Sequence, residues 1–161
     1  MVLIVMGVAG AGKTTIGRAL AASLGWEFDD GDDLHSEASK RKMHRGEALD
    51  DSDRAPWLSA VRALILSMLA RGRDGVVACS ALRQSYRDEL VIDQDLVKVI
   101  YLKGSKQTIA ERLRHRDAHF MNPDLLQSQF DTLEEPADAI IVDVSAAPEA
   151  IVKKIKASLP G

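Results

Sequence analysis

Five short strand-like runs punctuate the chain, and between them apolar residues recur three and four positions apart. The strand-like runs are Val2–Met6, Trp26–Asp29, Val76–Cys79, Val97–Leu102 and Ala139–Val142. Brief apolar runs bounded by turn signals read as buried strands, and helical stretches between them imply right-handed crossovers. The helices are also legible. Ile16, Ala19, Leu20, Ser23 and Leu24 fall on one helical face, and Gly25 sits where a helix stop belongs. Asp53 is placed to cap a second helix, with Pro56 in its first turn. Trp57, Val61, Leu64, Ile65, Met68 and Leu69 line its inner face as far as Arg71-Gly72. Asn122-Pro123 opens another helix carrying Leu125, Leu126, Phe130 and Leu133, and Pro148 opens the last, with Ile151, Ile155 and Leu159 facing inward. This alternation predicts an α/β fold: a parallel sheet covered by helices on both faces, with ligands outside the carboxyl ends of the strands.

Composition sharpens that picture. The 161 residues carry no linker, repeat or low-complexity stretch, so residues 1–161 are expected to form a single domain. A net charge of −3 and an aromatic content of 4% leave neither a basic surface nor a stacking platform for nucleic acid. The lone cysteine, Cys79, excludes an internal disulfide and follows Val76-Val77-Ala78, which marks it as a buried, inert thiol. The apolar run at the start is too short for a signal or membrane span, so a cytoplasmic protein without membrane contact is expected.

The decisive chemistry lies directly after the first strand. Gly7-Val8-Ala9-Gly10-Ala11-Gly12-Lys13-Thr14 is an uninterrupted G-x-x-x-x-G-K-[ST] phosphate-binding loop that opens onto a helix. Its glycines let backbone N–H groups converge on phosphate oxygens with no Cβ in the way, and the helix N-terminus adds its positive dipole end. Lys13 supplies a mobile charge for the β- and γ-phosphates, and the Thr14 hydroxyl suits Mg²⁺. Gly7 to Thr14, with Thr15 beside them, are therefore the expected nucleotide-binding residues.

Several kinds of phosphate-loop protein are excluded or disfavoured. The base-reading N-K-x-D and the D-x-x-G switch of a GTPase are both absent. A motor or transporter ATPase usually ends a later apolar strand in Asp, whereas here the candidate strand ends in Cys79-Ser80. Carboxylates instead crowd the end of the second strand, at Asp29, Asp30, Asp32 and Asp33. Two of these could divide the work, one on hydrated Mg²⁺ and one on an acceptor hydroxyl; a solvated acidic turn is the plainer alternative. Arg112 and Arg116, four apart on one helical face, suit an electrostatic role in phosphoryl transfer or adenine stacking, against a charged solvent face. His115 and His119 have zinc-like spacing but lack both the following Glu and a third ligand.

Beyond the phosphate loop, three segments are more specific. They are Asp30-Gly31-Asp32-Asp33-Leu34-His35, Asp51-Ser52-Asp53-Arg54-Ala55-Pro56-Trp57, and Cys79-Ser80-Ala81-Leu82-Arg83 with Tyr86-Arg87-Asp88. Together with Tyr101-Leu102-Lys103-Gly104, His119-Phe120-Met121 and Ser128-Gln129-Phe130, they make the chain closely resemble the gluconokinases of the shikimate-kinase-like group, nearly end to end. The resemblance implies a three-layer phosphate-loop kinase fold with a five-stranded parallel sheet flanked by helices and a small mobile lid at about residues 112–124. It also implies ATP-dependent phosphorylation of D-gluconate on its 6-hydroxyl, with Mg²⁺ as cofactor and a homodimeric assembly. By position, Asp32 resembles the carboxylate that orients or deprotonates the acceptor, and Asp30 the outer-sphere Mg²⁺ partner alongside Thr14. His35, Arg54 and Arg83, with Gln129 as a further candidate, resemble the groups that hold the sugar acid. Arg112 is similar to the adenine-stacking arginine. Arg116 is similar to the lid arginine that joins Lys13 and Asp32 in catalysis. Ser36 and Ser39 depart from the family pattern, which usually has Pro and Asn there.

Overall fold

The computed structural model describes residues 1–115 and 123–161. Five parallel strands form one sheet in the order β2-β3-β1-β4-β5. They are β1 (Val2–Met6), β2 (Glu27–Asp30), β3 (Gly75–Ala78), β4 (Val97–Lys103) and β5 (Ile140–Asp143). The helices are α1 (Lys13–Leu24), α2 (Glu37–His44), α3 (Asp51–Ala70), α4 (Gln84–Leu90), α5 (Lys106–Arg114), α6 (Pro123–Thr132) and α7 (Pro148–Ser158). A 3-10 turn spans Gly31–Leu34 between β2 and α2.

The central strand explains why the first apolar run does not alternate. Every residue of β1 is fully buried, and its side chains divide between two cores. Leu3 and Val5 face Ile16 and Leu20 of α1 and Ile155 of α7, while Val2, Ile4 and Met6 face Val61, Ile65 and Met68 of α3. Each of these aliphatic side chains contributes roughly 1.5–3 kcal/mol by leaving water. The result is three layers, with helices on both faces of the sheet. No described helix is long and apolar enough to cross a membrane.

The structure corrects several details of the sequence reading. The inner face of α1 is Ile16, Gly17, Leu20 and Ala21, whereas Ala19 and Ser23 are exposed. Gly17 belongs inside because the Phe28 ring of β2 packs on it; a Cβ there would lie 2.7 Å from Phe28 Cε2. The cap of α3 is Asp50 rather than Asp53. Asp50 Oδ1 accepts the Asp53 N–H at 2.8 Å, and Asp53 Oδ2 accepts the Asp50 N–H at 3.0 Å, a reciprocal capping box. Pro56 therefore falls in the second turn, where the Ser52 carbonyl is left without its helical donor. The edges of β2, β3 and β5 also shift by one residue, which makes Asp30 the last residue of β2. Ser36 caps α2 by accepting the Ser39 N–H at 3.0 Å, so the serine at this unusual position has a structural use. Helix α5 ends at Arg114 with His115 as its cap. Arg116 and His119, at the centre of the expected lid, lie outside the described residues.

Candidate active site

Where β1 ends, the backbone turns through the phosphate loop and enters α1. Gly10 and Gly12 adopt φ of +84° and +99°, the left-handed region that side chains resist. The loop is seated on α5: a Cβ added to Gly10 would meet Leu113 Cγ at 2.9 Å and Ile109 Cγ2 at 3.1 Å. Val8 and Ala11 point into the core and anchor the loop, leaving Ala9, Gly10, Gly12, Lys13, Thr14 and Thr15 to line a cleft of about 860 Å³. Lys13 Nζ donates to the loop's own Gly7 and Val8 carbonyls at 3.0 and 3.2 Å, so the ammonium is held over the loop. A Gly10→Ala variant combines a strained φ with a steric clash. It is expected to lose roughly 2–4 kcal/mol of stability and much of its ATP affinity, read by thermal unfolding with and without nucleotide.

The acidic turn meets the loop across the same cleft. Strand β2 pairs with β3 so that Asp30 stands opposite Ala78, at the carboxyl edge of the sheet. Asp30 Oδ2 accepts the Thr14 hydroxyl at 2.8 Å, and Asp30 Oδ1 accepts the Asp32 N–H at 3.0 Å. Gly31 fits tightly beneath: a Cβ there would lie 2.6 Å from the Ala78 carbonyl oxygen. Trp57 Nε1 donates to the Gly31 carbonyl at 2.8 Å, fixing the turn from the α3 side. The four carboxylates are thereby separated. Asp32 lines the cleft and Asp30 bonds to the loop's threonine, while Asp29 shares the other face of β2 with Glu27. Burial, with Glu27 nearby, raises the Asp29 pKa.

His35 and Arg54 line the cleft beyond the acidic turn. The His35 ring stacks on Trp57 at 4.5 Å between centroids and 9° between planes. Burial lowers the His35 pKa, against the attraction of Asp32, and so favours the neutral imidazole; its Nδ1 is buried with no hydrogen-bond partner. Arg54 Nη1 donates to the Tyr86 hydroxyl at 3.3 Å, and that hydroxyl donates to Asp51 Oδ1 at 2.9 Å. Tyr86 and Trp57 thus orient the two basic residues, a role the sequence reading did not assign to them. Helix α2 and the cap residue after it add Lys40, His44 and Arg45 to the cleft wall, which the sequence reading also missed. The dense basic run from Lys40 to Arg45, directly after the acidic turn, was the available signal.

The remaining expected residues fall in three places. Arg83 is the residue before α4, between Leu82 and Tyr86, which both line the cleft. Its own side chain is half-buried, with Nε buried and unpartnered. Arg112 lies on the other side of the phosphate loop, where its guanidinium donates to the Val144 carbonyl beyond β5. Gln129, expected with the acceptor, lines the cleft but makes its hydrogen bond to the phosphate loop: Oε1 accepts the Ala9 N–H at 2.7 Å. Cys79 is fully buried and its thiol pKa is pushed up to about 12 by burial, so it is inert as expected. Among the described residues no cluster of three or more His, Cys, Asp or Glu could hold a metal.

A nucleotide-type loop facing carboxylates and cations across one cleft is the layout of a small-molecule kinase, and comparison with known proteins narrows it. The shikimate kinase family profile matches residues 9–160. A probable gluconokinase of Dictyostelium discoideum is 43% identical over 168 aligned positions, covering 96% of this chain and 84% of that protein. The gluconokinase of Gluconobacter oxydans is 40% identical, covering 95% of this chain and 88% of that protein. The chain belongs to the gluconokinase family. The crystal structure of a gluconokinase from Sinorhizobium meliloti 1021 superposes with a TM-score of 0.87 at 42% identity, covering 96% of this chain and 89% of that one.

Proposed function

We infer that this protein transfers the γ-phosphoryl group of ATP to the 6-hydroxyl of D-gluconate, giving 6-phospho-D-gluconate and ADP. The observation that carries this reading is the single cleft in which the phosphate loop faces Asp32, His35 and Arg54, in a chain of the gluconokinase family. Lys13 and the loop N–H groups hold the phosphates, and Arg112 packs beside the adenine. Arg116 reaches the transferring phosphoryl group from the lid. Asp32 orients the acceptor hydroxyl and takes its proton at the end of transfer. His35 and Arg54 line the acceptor pocket, where a neutral imidazole and a guanidinium match the hydroxyls and carboxylate of a sugar acid. Arg83 joins them when the acceptor is bound, and Gln129 stands between the two substrates.

The residues present fit Mg²⁺. Thr14 offers a hydroxyl and Asp30 a carboxylate 2.8 Å away at the loop's edge, hard oxygen groups of the kind that would hold Mg²⁺ directly or through water. When bound it would offset the negative charge of the phosphate oxygens. A cytoplasmic setting supplies ATP and keeps Cys79 reduced.

Incubating the protein with ATP and ¹³C-labelled gluconate tests the reaction: the C6 resonance should acquire coupling to ³¹P. Phosphorylation elsewhere on the sugar acid, or none, contradicts the reading. Arg54→Ala and Arg83→Ala should each raise the gluconate KM by about tenfold or more, with ATP affinity within about threefold of the parent. A collapse of ATP binding in a still-folded variant would put that arginine on the nucleotide side.

A further inference from the structure

Gln129 sits near the end of α6 and takes up a phosphate-loop donor, the Ala9 N–H, across a separation of 120 residues. Just past α6 the same segment is tied to the loop that carries Arg83. The Glu134 N–H donates to the Leu82 carbonyl at 2.8 Å, and the Gln84 N–H donates to Glu134 Oε1 at 3.2 Å. Arg87 Nη2 donates to the Glu134 carbonyl at 2.6 Å. The segment from Gln129 to Glu134 therefore bridges the nucleotide loop and the β3–α4 loop.

The receiving loop is held in an unusual shape. Ala81 has φ of +45°, a conformation uncommon outside glycine. The buried Arg87 fixes it by donating through Nη1 to the Ala81 and Leu82 carbonyls at 2.7 and 3.1 Å. Such a shape persists only where its surroundings over-determine it. Next to it, Arg83 is half-buried with its Nε buried and unpartnered. This arginine is placed to gain a partner if the loop shifts.

We propose that Gln129 is a positioning residue that couples the two substrate sites: phosphate arriving at the Ala9 N–H displaces its carboxamide, and the Gln129–Glu134 segment passes that change to the loop bearing Arg83. A charged phosphate oxygen makes a stronger hydrogen bond than a neutral carboxamide oxygen, so the exchange at Ala9 favours the nucleotide. Arg83 then completes the acceptor pocket only when ATP is present. Because coupling between two bound ligands is reciprocal, gluconate tightens nucleotide binding by the same factor. This inference rests on the kinase reading of the cleft.

The test is calorimetric titration of gluconate with and without a non-hydrolysable ATP analogue and Mg²⁺, for the parent, Gln129→Ala and Glu134→Ala. Gln129 is half-buried and Glu134 exposed, so neither truncation empties the core. In the parent, the analogue should raise gluconate affinity by about fivefold or more; in Gln129→Ala that ratio should fall to within about twofold of unity, and in Glu134→Ala, which loses only the side-chain tie to Gln84 and keeps both main-chain ties, it should fall part of the way. Amide hydrogen exchange at Gln84 and Glu134, on adding the analogue alone, should change in the parent and stay constant in Gln129→Ala. An undiminished ratio in Gln129→Ala overturns the proposal. So does an equal loss of gluconate affinity with and without the analogue, which would make Gln129 a plain acceptor ligand, and so does a parent ratio of one. If the parent binds no gluconate under any condition, the substrate reading fails, and the exchange measurement, which needs no acceptor, still decides the coupling.

Discussion

A Lys13→Met variant should turn over gluconate at least on the order of a hundredfold more slowly than the parent, a loss of about 3 kcal/mol of transition-state stabilisation. Methionine keeps most of the stem's packing and removes the charge. In the structure that charge is held over the phosphate loop by the Gly7 and Val8 carbonyls, at 3.0 and 3.2 Å. On the proposed reading those carbonyls hold the ammonium toward the β- and γ-phosphates, and Lys13→Met removes one of the positive charges that meet the charge building on the transferring group. Steady-state rates at saturating ATP, with thermal unfolding as the folding control, measure the effect. Near-normal turnover would remove Lys13 from the mechanism.

Asp32→Asn carries the second large effect, a turnover loss of roughly 10²-fold or more with ATP affinity within about threefold. The substitution preserves size and most hydrogen bonding but removes the basicity that, on the proposed mechanism, finally accepts the hydroxyl proton. The structure separates this residue from its neighbour in the same turn. Asp32 faces the cleft, whereas Asp30 is committed to the Thr14 hydroxyl and the Asp32 N–H. Asp30→Asn should therefore raise the Mg²⁺ concentration needed for half-maximal rate, leaving the acceptor KM less affected. An active Asp32→Asn alongside a dead Asp30→Asn would reverse the two roles, and two fully active variants would reduce the turn to a solvated surface.

The sheet was legible because parallel strands buried on both faces must be written as short apolar runs, and Val2–Met6 is such a run. Edges and faces were less so. The Asp50-Asp51-Ser52-Asp53 run offers more than one capping register, and only the reciprocal bonds select Asp50. The inner face of α1 depends on Gly17, whose value comes from the Phe28 ring rather than from its own hydrophobicity. Helices α2 and α4 were not recognised, since they are short and polar and lean on the cleft and on α3.

The candidate site divides in the same way. Residues within a local motif, such as Lys13, Thr14, Asp30 and Asp32, fall together around the cleft as spacing suggested. Contacts made across the fold carry no local signature. The Gln129 bond to Ala9 joins residues 120 positions apart, and Arg87 carries no local sign of burial until four hydrogen bonds to the 81–84 and 134 segments show it at the hub of a loop. Trp57 reads only as part of its helix's inner face and Tyr86 only as part of a motif, yet their rings orient His35 and Arg54.

The central claim is tested most directly by coupled ADP release with a panel of acceptors: D-gluconate, its epimers, shikimate and nucleoside monophosphates, each with ATP and Mg²⁺. The account predicts that kcat/KM for gluconate exceeds that for shikimate and for every nucleoside monophosphate by at least about a hundredfold. Equal or faster turnover of shikimate or a nucleoside monophosphate, or ADP release that no acceptor stimulates, would contradict it.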